Sequence, residues 1–298
     1  MQARSVLSEG WATLENVVFD YQRNDGRWQE QHREIYHRGH GAAIRDATGK
    51  RQRPTWTVDS YGRFDVPDSL AVIQQETGWS QVHFVGHSMG GMVLAISLVS
   101  TPDLPVASAV VVASPLEFLD PDRLTRMLLD GAAWVRPVAF LPTPMGAKGM
   151  ALMRRDLPLQ PDALLHNPEN YSRQAEAHML RTVVSPVSRG EIRQFSLARF
   201  DGEFRSSDGE VVYPNGLGEV QVPMLFVAGR ADRVVSPDRV RTYHDSVGSP
   251  DKAFVVISQA NGHSGDYGHL DFGCADRAPQ DVYGLITYWL DAHPSEAP

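Results

Sequence analysis

The chain has 298 residues, 42% hydrophobic and 21% charged, which suits one globular domain with an inserted lobe or two small domains. Its formal net charge of −8 argues against nucleic acid or an anionic membrane surface as the main partner, since both usually need a basic patch. Cys274 is the single cysteine, which excludes an internal disulfide and a cysteine-rich metal site. No apolar run reaches the roughly 18 residues of a spanning helix, so no transmembrane segment is expected. Met1 to Gly10 lacks a basic stretch followed by an apolar one, so nothing reads as a secretory signal and a soluble, cytoplasmic protein is expected.

The first predicted element is a strand over Leu14 to Tyr21, where Val17, Phe19 and Tyr21 alternate with Val18 and Asp20. Asn24, Asp25 and Gly26 supply a tight turn because these residue types tolerate positive φ, and Arg27 to His37 reads as the return strand of a hairpin. Trp11 to Leu14, Phe19 to Gln22 and Arg33 to Ile44 resemble the N-terminal strands of Nudix hydrolases, near the GDP-mannose pyrophosphatase branch. Arg33, Glu34 and Ile35 match the Arg-Glu-aliphatic core of the Nudix box, but the glutamate pair that holds the metal ions does not follow. Nudix chemistry is therefore not expected, and residues 1–50 are read as a structural segment apart from a second domain at 51–298.

Asp46 to Thr57, with Gly49, Lys50, Arg51, Arg53 and Pro54, reads as a solvated connection. Asp65 is the expected N-cap of a helix over Val66 to Thr77, with Pro67 in the first turn and Leu70, Val72 and Ile73 facing inward; Gly78 ends it. A strand over Gln81 to Val85 leads into Gly86-His87-Ser88-Met89-Gly90-Gly91, and Met92 to Val99 is helical in composition. The pentapeptide G-x-S-x-G is a weak signal alone and fits a glycine-rich strand-to-helix turn with an incidental serine. Strand before and helix after make it a nucleophile-elbow pattern, with Gly86 and Gly90 expected where a Cβ would clash. Such a turn exposes the Ser88 hydroxyl at the carboxyl edge of the sheet, and the helix start offers the N–H of Met89 to a developing oxyanion. Thr57 to Asp68 together with Val82 to Gly91 resembles the α/β-hydrolase superfamily, especially its lipase and esterase members. The resemblance runs to the C-terminus and implies a mostly parallel sheet with an inserted helical cap.

After the elbow, Val106 to Ala113 reads as a strand buried on both faces. Leu116 to Gly218 breaks the β–α rhythm with helical pieces at Leu124 to Trp134 and Ser172 to Val184, separated by prolines, where the resembling family carries its cap. Met127, Leu128, Phe140, Met145, Met150 and Met153 suit either an apolar acyl pocket or the cap's own core. The rhythm returns with the strand Val222 to Gly229. Asp232 just beyond it is the candidate acid of a catalytic triad, against the alternative of a turn aspartate, a role that suits Asp238 better. Ala253 to Ser258 is the last strand, followed by a loop with His263 and His269, and Ala278 to Leu290 closes the chain as an amphipathic helix. The order Ser88, Asp232, His269, each after a strand, is the order of α/β-hydrolases, and Tyr267 to Phe272 resembles the catalytic histidine motif of acid lipases, which favours His269 over His263.

One part of that fold has no room in the chain. The early strands, whose His-Gly loop gives the second oxyanion N–H, do not fit between Ile44 and Thr57, and the Nudix-like piece stands in their place. His40-Gly41 spells the dipeptide within that piece and is a weak candidate. Two readings follow: a serine hydrolase of carboxylic, lipid-like esters that uses no metal or organic cofactor, or a rearranged chain that keeps the triad residues with little or no activity. Missing strands also leave a sheet edge open beside the elbow, which invites a homo-oligomer.

Overall fold

The computed structural model describes residues 3–9, 12–22, 28–38, 56–118, 140–141, 165–182 and 187–295. The chain divides into two compact units, Met1–Pro54 and Thr55–Pro298. The first holds an antiparallel sheet of β1 (Ala3–Glu9), β2 (Ala12–Gln22) and β3 (Trp28–Arg38) in the order 1-2-3, one strand more than the expected hairpin. In it Ala12 pairs with Arg38 and Gln22 with Trp28.

The second unit begins with α1 (Val58–Ser60), which runs through a π-type turn, Tyr61–Asp65, into α2 (Val66–Thr77). The expected start at Asp65 is thus corrected: Asp65 has helical angles (φ −67°, ψ −39°), and the N-cap is Thr57, whose N–H donates to Ser60 Oγ at 3.1 Å. Pro67 therefore sits inside a continuous helix. The wide turn just before it, closed by Val66 N–H to Tyr61 O, takes up the disruption a proline causes there. Gly62 in that turn lies so close to the following helix that a Cβ would come within 2.4 Å of Ile96, and Ser97 Oγ donates to Gly62 O at 2.8 Å.

β4 (Val82–His87), β5 (Val106–Val112), β8 (Met224–Gly229) and β9 (Lys252–Ile257) build a four-stranded, all-parallel sheet in the order 4-5-8-9, with α3 (Met89–Ser100) connecting β4 to β5. Its strands are apolar because alternate residues face two different cores. Ala109, Val111, Met224 and Phe226 pack with α3 and with Val240 and Tyr243 of the helix Pro237–Ser246. Val110, Val112, Leu225, Val227 and Ile257 pack on the other side with Tyr267, Phe272 and Val282, backed by Leu285, Ile286 and Trp289. Those last residues belong to a π-type turn, Pro279–Tyr283, and the helix Gly284–Ala292, which together form the expected closing helix.

The described parts of the cap region include the segment 165–172 with a 3-10 turn at Pro168–Asn170, the helix Arg173–Thr182, a two-residue pairing of β6 (Phe140–Leu141) with β7 (Val187–Ser188), and the helix Arg189–Asp201. The last of these was not expected from the sequence. Ser188 caps it, accepting from Glu191 N–H at 3.1 Å while Glu191 reaches back to the Ser188 N–H. The predicted helix Leu124 to Trp134 lies outside the described residues, as do Met127, Leu128, Met145, Met150, Met153 and the side chain of Phe140.

Candidate active site

Ser88 stands between β4 and α3 with φ 54° and ψ −117°, a left-handed strain that a non-glycine residue rarely carries. Two bonds hold the strained residue: Ser88 N–H donates to Val112 O at 2.8 Å, and Ser88 O accepts from Gly91 N–H at 3.1 Å. The glycines around it differ in what they permit. A Cβ on Gly86 would lie 2.6 Å from Gly90 C, so that position is closed to any side chain. A Cβ on Gly91 would lie 2.3 Å from Ser114 Oγ, so this glycine sets the approach of α3 to β5. At Gly90 no neighbouring atom stands within 4 Å, which corrects the expected clash there: the position faces open space.

The other side chains reach Ser88 from loops at the carboxyl ends of later strands, where a parallel sheet gathers them. His269 Nε2 lies 2.8 Å from Ser88 Oγ, and its Nδ1 lies 2.9 Å from Asp232 Oδ2. Asp232 and His269 are buried, 6% and 5% exposed. Asp232 uses its other oxygen, Oδ1, to accept the N–H groups of Val234 and Val235, both at 2.8 Å. The turn role weighed against Asp232 is therefore also present, on a separate oxygen. His263 turns away, with Nδ1 3.1 Å from Ser258 O, and Asp238 is exposed in the first turn of the helix Pro237–Ser246.

Two further residues meet the histidine loop and were not singled out in the sequence. His87 Nε2 donates to His269 O at 2.7 Å, and its ring lies 5.0 Å from that of His269. Crowding by protein on one side, with the neighbouring His269 as a second cause, holds the His87 imidazole down to about 4, although its other side is open to water. His87 is therefore neutral at neutral pH, with its proton on Nε2. Asp271, fully buried, accepts the Gly268 N–H at 2.7 Å, and burial raises its pKa while these hydrogen bonds oppose the rise. Each lies inside a stretch quoted for its neighbour, His87 in the elbow and Asp271 in Tyr267 to Phe272, but the pattern assigns neither a role, because each acts through main-chain atoms of the histidine loop.

On the oxyanion side, Met89 is the first residue of α3, where a helix leaves its N–H groups without intrahelical partners. His40, the weak candidate for the second donor, lies outside the described residues. β4 is an edge strand: among the described residues it pairs only with β5. Val82 N–H and Ser88 N–H both point to β5, so by alternation the main-chain groups of His83, Val85 and His87 point outward, and Val85 is 49% exposed. No group of three or more metal-binding side chains occurs among the described residues.

Residues 37–267 match the α/β hydrolase fold family, and the chain belongs to it. Residues 1–36 match the N-terminal domain of GDP-mannose pyrophosphatase NudK. Human lipase member K is 22% identical over 269 residues, 80% of this chain and 64% of that protein; human lysosomal acid lipase/cholesteryl ester hydrolase is 31% identical over 99 residues, 29% and 25% of the two chains. The chain thus spans less than two thirds of the length of these relatives. The fold is shared with a thermophilic esterase from Thermogutta terrifontis (TM-score 0.55, 16% identity, 95% of each chain). It is shared also with a monoacylglycerol lipase from Paleococcus ferrophilus (TM-score 0.53, 15% identity, 88% of this chain and 84% of that one). Among the described residues no helix is long and apolar enough to cross a membrane.

Proposed function

We propose that the chain is a serine hydrolase of carboxylic esters that works through an acyl-enzyme on Ser88. The observation that carries this reading is the relay of Ser88 Oγ, His269 and Asp232 at 2.8 and 2.9 Å. Ser88 Oγ bonds to the acyl carbon while its proton passes to His269 Nε2, and Asp232 keeps the other ring proton on Nδ1 and stabilises the imidazolium. The carbonyl oxygen becomes an oxyanion beside the Met89 N–H at the start of α3. Collapse breaks the bond to the alcohol oxygen, which takes the proton from His269. Water then attacks the acyl carbon, giving its proton to His269, and the acid leaves as Ser88 recovers its own. The human relatives are lipases by name, which supports ester substrates with an apolar acyl part.

A second reading rests on the edge position of β4 and the single oxyanion donor in view: a chain with the relay in place and little turnover. Loss of one such donor lowers kcat by about 10²–10³-fold. One set of measurements separates the two. A fluorophosphonate probe labels the wild-type chain and not Ser88→Ala, and hydrolysis of p-nitrophenyl esters disappears in both Ser88→Ala and His269→Ala. Labelling that persists in Ser88→Ala overturns the assignment of the nucleophile. Labelling without measurable hydrolysis selects the second reading.

A further inference from the structure

The mechanism above leaves unused a fully buried carboxylate two residues beyond His269. We propose that Asp271 is a positioning residue that ties the aim of the His269 imidazole to the seating of the cap segment 165–171; the proposal rests on the hydrolase reading. Asp271 accepts three N–H donors from two directions. Gly268 N–H donates to Oδ2 at 2.7 Å from the histidine loop itself. From the cap segment, Asn170 Nδ2 donates to Oδ2 at 2.7 Å, and Asn167 N–H is shared between the two oxygens at 3.2 Å each.

Further contacts between the two segments run through main-chain atoms close to this carboxylate. Leu270 N–H donates to Leu165 O at 2.8 Å, and the side-chain amides of Asn167 and Asn170 both donate to Asp266 O at 2.9 Å. Gly268 is pressed against the cap segment so closely that a Cβ would stand 2.8 Å from Asn167 N. His269 is thus gripped on both sides: the Gly268 N–H before it by Asp271, and its own carbonyl by His87 at 2.7 Å. A carboxylate suits this place because it offers about four lone-pair sites and no donor. An asparagine there must turn its NH₂ toward one of the incoming N–H groups, and the loop shifts to relieve the clash.

The test compares Asp271→Asn, Asn170→Ala and the double variant with the wild-type chain, each first shown to be folded by its thermal transition. Asp271→Asn is expected to lower kcat by about 10- to 100-fold with KM changed less than about 3-fold, because a small misplacement of a reacting group is costly. Asn170→Ala shifts kcat the same way, and the double variant is no worse than Asp271→Asn, since both break one coupling. A downfield proton resonance from His269 Nδ1–H, identified by its loss in His269→Ala, is expected to shift or broaden in Asp271→Asn. That resonance is read without turnover, so a wild-type chain that hydrolyses nothing defeats the hydrolase reading while a shifted resonance still supports the positioning. An unshifted resonance with kcat within about 2-fold of wild type, or losses that multiply in the double variant, overturns the proposal. If Asp271→Asn does not fold, Asn170→Ala carries the same two readouts.

Discussion

Ser88 has two flanks, and they are built to different completeness. On one, the loops after β8 and β9 deliver Asp232 and His269 from a sheet that is packed on both faces, and each side chain is held by more than one partner. On the other, β4 is the outer strand of the sheet among the described residues, with the main-chain groups of three residues turned outward and the Met89 N–H at the helix start beside Ser88. Proton transfer and charge stabilisation therefore depend on separate parts of the chain. The first needs only the strands after the elbow; the second, in this fold, also draws on strands before it. In their place in the sequence stands a segment that matches a different family, and it folds as its own antiparallel sheet.

The largest effect is expected on the complete flank, in Asp232→Asn. Val234 and Val235 N–H groups fix which side of the residue must accept, so the new amide presents its NH₂ to His269 Nδ1. The imidazole then carries its proton on Nε2, facing Ser88 with a donor where an acceptor is needed. A fall in kcat of about 10⁴-fold with little change in KM is the expected result for ester hydrolysis. A loss below about tenfold would mean that the acid side is not what limits the site, and the contrast between the flanks would collapse.

The elbow between the flanks gives the next contrast. Gly86→Ala drives a Cβ into the main chain of Gly90 at 2.6 Å, and neither segment is free to retreat. Activity should fall about 10²-fold or more, or the thermal midpoint should drop by several degrees. Gly90→Ala meets open space and adds a better helix former near the start of α3, so stability should hold or rise. Parallel denaturation curves and kinetics on the two variants decide it; equal damage from both would contradict the geometry of the turn.

What the sequence made legible follows the range of the interactions. The apolar runs at Val106, Val222 and Ala253 announced strands because a doubly buried strand needs no partner to be recognised. Chain order at strand ends points to Asp232 and to the loop of His263 and His269, and the resemblance of Tyr267 to Phe272 to the acid-lipase histidine motif selects His269 within that loop. Asp65 and Pro67 together form a strong local start signal for the first helix, which the π-type turn overrides. The Ser188–Glu191 capping box was present in the residues but unsupported by apolar periodicity, so its helix went unread. Asp271 was beyond reach for another reason. Its partners Asn167 and Asn170 lie about a hundred positions away in the chain, and no local pattern links them.

The smallest kinetic effect is expected on the open flank. Val85 is 49% exposed on the outer strand, and His83 and His87 beside it carry no fixed charge at neutral pH to repel another strand. An edge of this kind pairs readily with a strand of a second copy. Val85→Lys places a charge there without touching Ser88, Asp232 or His269, so kcat should stay within about 3-fold of wild type while self-association falls. Sedimentation or size-exclusion measurements across a concentration series read the second part. If the wild-type chain shows no association that the lysine weakens, the edge is closed in solution, and the oxyanion flank is less open than β4 suggests. If kcat instead falls steeply with the loss of association, the second copy completes that flank, and the two sides of Ser88 become equal only in the assembly.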